Sequence, residues 1–187
     1  MLSDRINYIV SGLERSGTSL MMQMLEKGGL PIAFDELRPP DEHNPKGYFE
    51  LAGGKIISQL EKGTFDFNPH RGRIIKITAY GLKLVPQGKY KVIYMLRNID
   101  EVLISMRKMG GVMDMEKDRV LFDKLNRITL ALLEKRDDME YITVNYNDIV
   151  EDPVAAAQKV DRFLGGGLDI EKAARAIDLK LYRSKVK

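Results

Sequence analysis

The sequence predicts a three-layer α/β/α domain whose central sheet is mostly parallel. Short apolar or β-branched runs, typical of strands that are covered on both faces, occur along the whole chain. Helical patterns separate these runs one by one, which is the order that parallel crossover units require. The chain has 187 residues, enough for one domain of this class. We therefore expect residues 1–187 to form a single domain.

Strands and helices are assigned in chain order from hydrophobic periodicity and from stop signals. A proline is favourable in the first turn of a helix at Pro153, and Gly165-Gly166-Gly167 ends that helix. The predicted strands are Asn7–Ser11, Arg73–Thr78, Lys91–Leu96 and Tyr141–Asn145. The predicted helices are Thr18–Lys27, about Phe49–Lys62, Ile99–Lys108, Lys117–Lys135, Pro153–Leu164 and Ile170–Ile177. The proline-rich segment 30–47 is the longest irregular stretch, and we expect it to be a mobile loop over the substrate.

Composition excludes several classes of protein. The chain carries 30 Lys and Arg against 27 Asp and Glu, and this mild excess is spread along its length. Such a charge suits small anionic ligands better than a nucleic acid, which needs a concentrated basic face. The absence of cysteine excludes disulfides, a thiol nucleophile and a thiolate metal site. No apolar run approaches the roughly 20 residues that span a bilayer, and the first strand follows too soon for a signal peptide, so we expect a cytoplasmic protein.

The first strand enters a glycine loop with the spacing of a phosphate-binding P-loop. Gly12 and Gly17 lie five positions apart, Ser19 takes the hydroxyl position, and helix-forming residues follow. In this arrangement backbone N–H groups and the helix N-terminus cradle a phosphate. Thr18, however, stands where NTPases have the lysine that reaches the β- and γ-phosphates. The loop therefore predicts an anionic ligand that lacks a γ-phosphate.

A second candidate anion site follows the third predicted strand. Arg97 ends this strand, and Ser105 lies on the helix that begins near Ile99. Open α/β sheets bind ligands at the carboxyl edge of their strands, where Arg97 would lie. A guanidinium fork matches a phosphate, and a serine hydroxyl can complete the shell around it.

Taken in this order, the motifs resemble those of sulfotransferases that use 3′-phosphoadenosine 5′-phosphosulfate (PAPS) as donor. In that family an R/K-S-G-T loop holds the 5′-phosphosulfate, and Arg15-Ser16-Gly17-Thr18 matches it. A later R-N-P-x-x-x-x-x-S motif holds the 3′-phosphate, and Arg97 and Ser105 match its ligands, with Ile99 in place of the proline. The segment 73–78 is similar to the family's second strand, whose lysine approaches the sulfuryl group and corresponds to Lys76.

Three further segments add to this resemblance. Residues 144–153, which include Tyr146, are similar to the family's segment near the adenosine. Asn44–Glu50 and Leu181-Tyr182-Arg183 resemble bacterial members. The family's C-terminal R-K-G-x-x-G loop has no counterpart in this sequence.

The resemblance implies a sulfotransferase with the P-loop NTPase-like fold, PAPS as co-substrate and no metal. The acceptor would be a hydroxyl or amine of a small molecule, a carbohydrate or a lipid. The implied donor-binding residues are Glu14, Arg15, Ser16, Gly17, Thr18, Ser19, Arg97, Ser105, Tyr146 and Arg183.

Catalysis in such an enzyme consists mostly of positioning and charge stabilisation. Arg15 and Lys76 would neutralise the charge that grows on the leaving oxygen. The general base is left open, because Thr78 stands where cytosolic members have a histidine. Glu50 is the first candidate, since it would begin the helix after the loop that faces the P-loop. His43 and His70 are the second and third candidates.

Two other functions remain open on the sequence alone. A kinase on a P-loop scaffold predicts Mg²⁺ dependence and a lysine directly after Gly17, where this chain has Thr18. A catalytically weak nucleotide-binding module predicts binding of the adenosine bisphosphate without transfer to any acceptor.

Overall fold

The computed structural model describes residues 2–178, Tyr182 and Ser184, and it confirms the α/β class. In this part of the chain four parallel strands form one sheet in the order β2-β1-β3-β4. The central strand β1 pairs Val10 with Lys76 on one side and with Ile93 on the other. The strands are β1 (Asn7–Gly12), β2 (Ile74–Lys76), β3 (Tyr90–Leu96) and β4 (Met139–Asn145).

Helices cover both faces of this sheet. They are α1 (Thr18–Lys27), α2 (Ile56–Glu61), α3 (Ala79–Leu82), α4 (Ile99–Lys108), α5 (Met115–Lys135), α6 (Tyr146–Glu151), α7 (Pro153–Leu164) and α8 (Ile170–Ala174). Short 3₁₀ turns occur at Ala52–Gly54 and Asn68–His70. Helices α1, α4 and α7 have the predicted bounds, whereas α3 and α6 were not predicted.

The predicted helix Phe49–Lys62 is wrong over its first half. Phe49 and Ala52 have φ angles of 54° and 55°, and Gly53 has a φ of 60°. A right-handed helix cannot run through such residues, so the regular helix begins only at Ile56. The sequence predicted Glu50 in the first turn of a helix. In the structure Glu50 lies instead in an irregular segment.

Alternate side chains of the strands fill two separate apolar cores. Tyr8 and Val10 of β1 pack with Met21 of α1 on one face, in a cluster that extends to α7 and α8. Ile9 belongs to the other cluster, which α2, α3 and α5 cover. A sheet buried on both faces explains why its strands read as nearly continuous apolar runs. The layers thereby fix the carboxyl ends of β1, β2 and β3 beside one another.

The segment 30–47 contains only isolated bridges, Ile32 with Ile74 and Asp41 with Asn44. Ile32 and Ala33 are buried, so its first residues are anchored beside β2. Its later residues cross the carboxyl edge of the sheet, where they contact the P-loop. The mobility of this loop stays a prediction.

Candidate functional site

The P-loop connects β1 to α1 and contains backbone conformations that its sequence permits. Gly17 has a φ of 101°, and a Cβ added there would lie 2.5 Å from Cδ2 of Tyr146. Arg15 has a φ of 64°, which is uncommon for a residue with a side chain. The buried hydroxyl of Ser16 has no hydrogen-bond partner among the described residues. The loop leads into the N-terminus of α1, where backbone N–H groups fit an anionic group.

Lys76 reaches the P-loop from the neighbouring strand. It is the last residue of β2, opposite Val10 of β1, and its side chain is only 5% exposed. Its Nζ donates to the carbonyl oxygen of Tyr48 and to Oγ of Ser19, the latter at 3.4 Å. Burial lowers the pKa of Lys76 from its ordinary value, while the carboxylate of Glu50 opposes that shift.

Glu50 bridges two cations. Its Oε1 lies 3.0 Å from Nζ of Lys76, and its Oε2 lies 2.9 Å from Nη1 of Arg38. The Arg38 guanidinium also stacks on Tyr48, with Cζ 3.5 Å from the ring centroid. Sequence reasoning missed Arg38, because it belongs to no motif and stands in the irregular segment.

The loop residues 41–48, which we call the strap, contact the P-loop through polar groups. Asn44 Nδ2 donates to Ser19 Oγ at 3.1 Å, and Arg15 Nη2 donates to the carbonyl oxygen of His43 at 3.2 Å. The strap is braced internally, because the Tyr48 hydroxyl donates to Oδ2 of Asp41 at 2.7 Å. The strap thus connects the candidate anion cradle to Glu50.

Arg97 is buried in a network behind the P-loop. Its Nε lies 3.0 Å from Oε2 of Glu101, one helical turn further on, and these side chains are 7% and 3% exposed. Its Nη1 donates to the carbonyl oxygen of Arg15 at 3.0 Å, and its guanidinium lies 4.1 Å from the ring centroid of Tyr146. Tyr182 donates its hydroxyl to Oε1 of Glu101 at 2.7 Å. Arg97 therefore holds the backbone of the P-loop at Arg15, the residue other than glycine that has a positive φ there.

Ser105 lies on α4 beside the same loop. Its Oγ accepts a hydrogen bond from Nε of Arg15 at 3.0 Å, and the residue is 8% exposed. The structure therefore brings the two predicted anion motifs together, with Arg15 in contact with both Ser105 and Arg97.

A cavity of about 930 Å³ opens at this edge of the sheet. The predicted residue Ser16 is 1% exposed and does not line this cavity. The predicted site residues that line the cavity are Glu14, Arg15, Gly17, Thr18, Ser19, Glu50, Lys76, Arg97, Ser105 and Tyr146. No group of three or more possible metal ligands occurs within the described residues.

The candidate histidines have different positions. His43 lines the cavity, although its contact with Arg15 is made by its carbonyl oxygen. His70 lies in the 3₁₀ turn before β2, at the amino ends of the strands, and stacks on Phe65 with ring centroids 5.4 Å apart. The structure therefore does not bring His70 to the cavity. Arg183 lies outside the described residues.

A P-loop at the carboxyl edge of a parallel sheet, with a lysine supplied by the neighbouring strand, defines an α/β protein of the P-loop class. The sequence pattern of the sulfotransferase domain family matches residues 5–187. Because this match covers nearly the whole chain, the chain belongs to that family, and the resemblance given by the motifs is confirmed. None of the described helices has the length and apolar character needed to cross a membrane.

Solved structures share this fold at low sequence identity. The sulfotransferase domain of the olefin synthase from Synechococcus PCC 7002 is 17% identical, with a TM-score of 0.57 over 95% of this chain and 79% of that one. Mouse sulfotransferase SULT7A1, solved in complex with PAP (3′-phosphoadenosine 5′-phosphate), is 17% identical, with a TM-score of 0.58 over 97% of this chain and 67% of that one. The sulfotransferase STF1 from Mycobacterium tuberculosis H37Rv is 15% identical, with a TM-score of 0.56 over 95% and 73%. No curated protein matches the chain.

Proposed function

We propose that this protein transfers a sulfuryl group from PAPS to a hydroxyl or amine of an acceptor. One observation carries this proposal: the lysine beside the anion cradle comes from β2 and not from the P-loop. Nζ of Lys76 lies 3.4 Å from Oγ of Ser19 in the first turn of α1, while Thr18 occupies the usual lysine position. This arrangement suits a donor whose reactive group is attached directly to a 5′-phosphate.

The donor half of the proposal uses the P-loop and the residues behind it. Backbone N–H groups of residues 14–19 would hold the 5′-phosphate end, except that of Ser16, which donates to the carbonyl oxygen of Leu13 at 3.1 Å. Arg15 and Lys76 would stabilise charge on the leaving oxygen. PAPS supplies the activated sulfuryl group and leaves as 3′-phosphoadenosine 5′-phosphate (PAP). The mouse relative solved with PAP supports this choice of nucleotide.

We assign the 3′-phosphate to the region of Arg97 and Ser105, with Tyr146 on the adenosine side, and Arg183 remains a proposed donor-binding residue on the sequence resemblance alone. Arg97 and Ser105 both line the cavity and both contact Arg15. The exposed part of Tyr146 is small, at 7%, so one edge of its ring at most can contact a nucleoside.

The acceptor half centres on Glu50, which we propose as the general base. It is 14% exposed, lines the cavity and lies 3.0 Å from Lys76. A base next to the residue that contacts the sulfuryl group is placed to deprotonate the attacking acceptor. His43 remains the second candidate, since it also lines the cavity.

The proposal is tested first by calorimetric titration with PAP, with AMP, and with ATP in the presence and absence of Mg²⁺. We expect metal-independent binding of PAP that is at least tenfold tighter than binding of AMP or ATP. Tighter binding of ATP with Mg²⁺ would instead indicate a kinase.

Turnover is then measured with ³⁵S-labelled PAPS and a panel of phenols, aliphatic alcohols, amines, sugars and lipids. Replacing Lys76 by Met should lower transfer by about 10²–10³-fold, as loss of one preorganised charge at a transition state does. Lys62→Met, at an exposed position in the loop after α2, is the matched control. Tight PAP binding with no transfer to any acceptor would indicate a binding module.

A further inference from the structure

We propose that Arg38 is a positioning residue for the reaction: it holds Glu50 against Lys76 and marks the side from which the acceptor reaches Glu50. This inference rests on the proposed sulfuryl transfer. Three observations carry it, namely the bridged carboxylate, the unequal burial of its two cations and the stacking of the Arg38 guanidinium.

Both carboxylate oxygens of Glu50 are engaged. Oε1 lies 3.0 Å from Nζ of Lys76, and Oε2 lies 2.9 Å from Nη1 of Arg38. Each of these oxygens keeps a second lone pair that can accept a proton from an acceptor, and the cation beside it limits the direction of approach. The position of each cation therefore decides which oxygen accepts the proton.

The two cations differ in their freedom to move. The Lys76 side chain is 5% exposed, and it also donates to the carbonyl oxygen of Tyr48 and to Ser19. The Arg38 side chain is 41% exposed, and it donates a hydrogen bond to Glu50. Displacing a half-exposed guanidinium costs less than displacing a buried ammonium, because water can solvate the former. The acceptor hydroxyl therefore approaches Oε2 from the side of Arg38, which shifts to admit it and stays paired with that oxygen, while Lys76 stays on Oε1.

The guanidinium is nevertheless held in a defined place when no acceptor is bound. Its Cζ stacks 3.5 Å from the centroid of Tyr48, and Asp41 fixes that ring by accepting from its hydroxyl. Gly54 leaves the room that this arrangement needs, since a Cβ there would lie 2.7 Å from Oε2 of Glu50. Arg38 thus orients the carboxylate toward Lys76 before the acceptor arrives.

The step that follows is balanced in atoms and electrons. The acceptor oxygen forms a bond to sulfur while the bond from sulfur to the bridging oxygen of PAPS breaks. The electron pair of that bond stays on the 5′-phosphate of PAP. The acceptor proton moves to Oε2 of Glu50 and leaves later to water.

The test compares Arg38→Ala, Arg38→Lys and the control Arg162→Ala, which removes an exposed arginine on α7. We expect Arg38→Ala to lower kcat about 10–100-fold, a part of what a general base contributes, with PAP affinity unchanged within twofold. Arg38→Lys should recover part of kcat, because an ammonium can pair with Glu50 although it stacks less well on Tyr48. A kcat for Arg38→Ala within twofold of the control, or a parallel loss of PAP affinity, would overturn the proposal.

A second measurement separates this inference from the proposed function. A double-mutant cycle of Arg38→Ala and Glu50→Gln, followed by urea unfolding, should show favourable coupling between the two side chains. Coupling in a protein that transfers no sulfuryl group would refute the proposed function while leaving the Arg38–Glu50 contact intact. Transfer by the wild type without any coupling in stability or kcat would refute the role of Arg38 alone.

Discussion

Glu101 should be among the most costly side chains to remove from this protein, although it belongs to no recognised motif. Its carboxylate pairs with Arg97 at 3.0 Å, and both side chains are almost fully buried. Removing one partner of a buried ion pair typically costs about 3–5 kcal/mol, because the other charge stays buried. Arg97 keeps its hydrogen bond to the carbonyl oxygen of Arg15 and its contact with Tyr146, so its charge is not left without partners and we expect the low end of that range, about 3 kcal/mol, for Glu101→Leu.

For a chain of this length, 1 kcal/mol lowers Tm by about 2–4 °C, so the expected loss for Glu101→Leu is about 6–12 °C. Circular dichroism against temperature and urea measures it, with Glu134→Leu, at an exposed position of α5, as the control that should stay within about 0.5 kcal/mol of wild type. The double variant Arg97→Met/Glu101→Leu should recover most of the loss, since apolar residues can replace a buried pair. A cost below about 1 kcal/mol for Glu101→Leu, or a double variant as unstable as the sum of the singles, would refute the reasoning.

Three further predictions concern the P-loop and the frame around the site. Gly17→Ala should weaken PAP binding at least tenfold in calorimetry, because a methyl group would lie 2.5 Å from Tyr146 at a φ of 101°; unchanged affinity would show that the cradle tolerates a shift of Tyr146. A hydrogen bond from Arg136 lowers the pKa of Asp138 to about 2 from 3.8. The ionised carboxylate therefore stabilises the folded state fully above about pH 4, and this contribution is lost as the pH falls through about 2. Asp138→Asn should cost about 1–2 kcal/mol at pH 7 and flatten the unfolding free energy between pH 4 and 2, and an unchanged slope would contradict this. Tyr94→Phe removes a buried hydroxyl that donates to Oδ1 of Asn126 at 2.8 Å, and urea unfolding should show a loss of about 1 kcal/mol, whereas a gain in stability would contradict the contact.

The sequence predicted the long elements well because their ends carry local signals. Asn98 caps α4 by accepting from the N–H groups of Asp100 and Glu101, and Asp152 with Pro153 begins α7. The first half of the predicted helix after the strap failed for a different reason. Its apolar periodicity was real, but burial of Phe49 and Leu51 is achieved by an irregular backbone with positive φ angles. Hydrophobic pattern alone does not distinguish these cases.

The site could be predicted as far as its residues follow strand ends. The P-loop, Lys76 and Arg97 all lie at carboxyl ends of parallel strands, so topology alone brings them to one edge. The pairing of Arg97 with Glu101 had a signal as well, because residues four apart on a helix are neighbours. Arg38 had none, since its contact with Glu50 depends on how an irregular segment folds back on itself.

The strap links the P-loop side of the cavity, where the donor would bind, to the Glu50 side, where the acceptor would bind. Asn44 contacts Ser19 in the anion cradle, and the carbonyl oxygen of Tyr48 accepts from Lys76, which also pairs with Glu50. A donor that took over the hydrogen bonds of Ser19 and Lys76 would therefore release the strap beside Glu50, the proposed general base. Loss of the Asn44 contact should then change acceptor KM as well as donor affinity, although Asn44 lies on the P-loop side. Equal acceptor KM values for wild type and Asn44→Ala in steady-state assays with saturating PAPS would show instead that the two halves act independently.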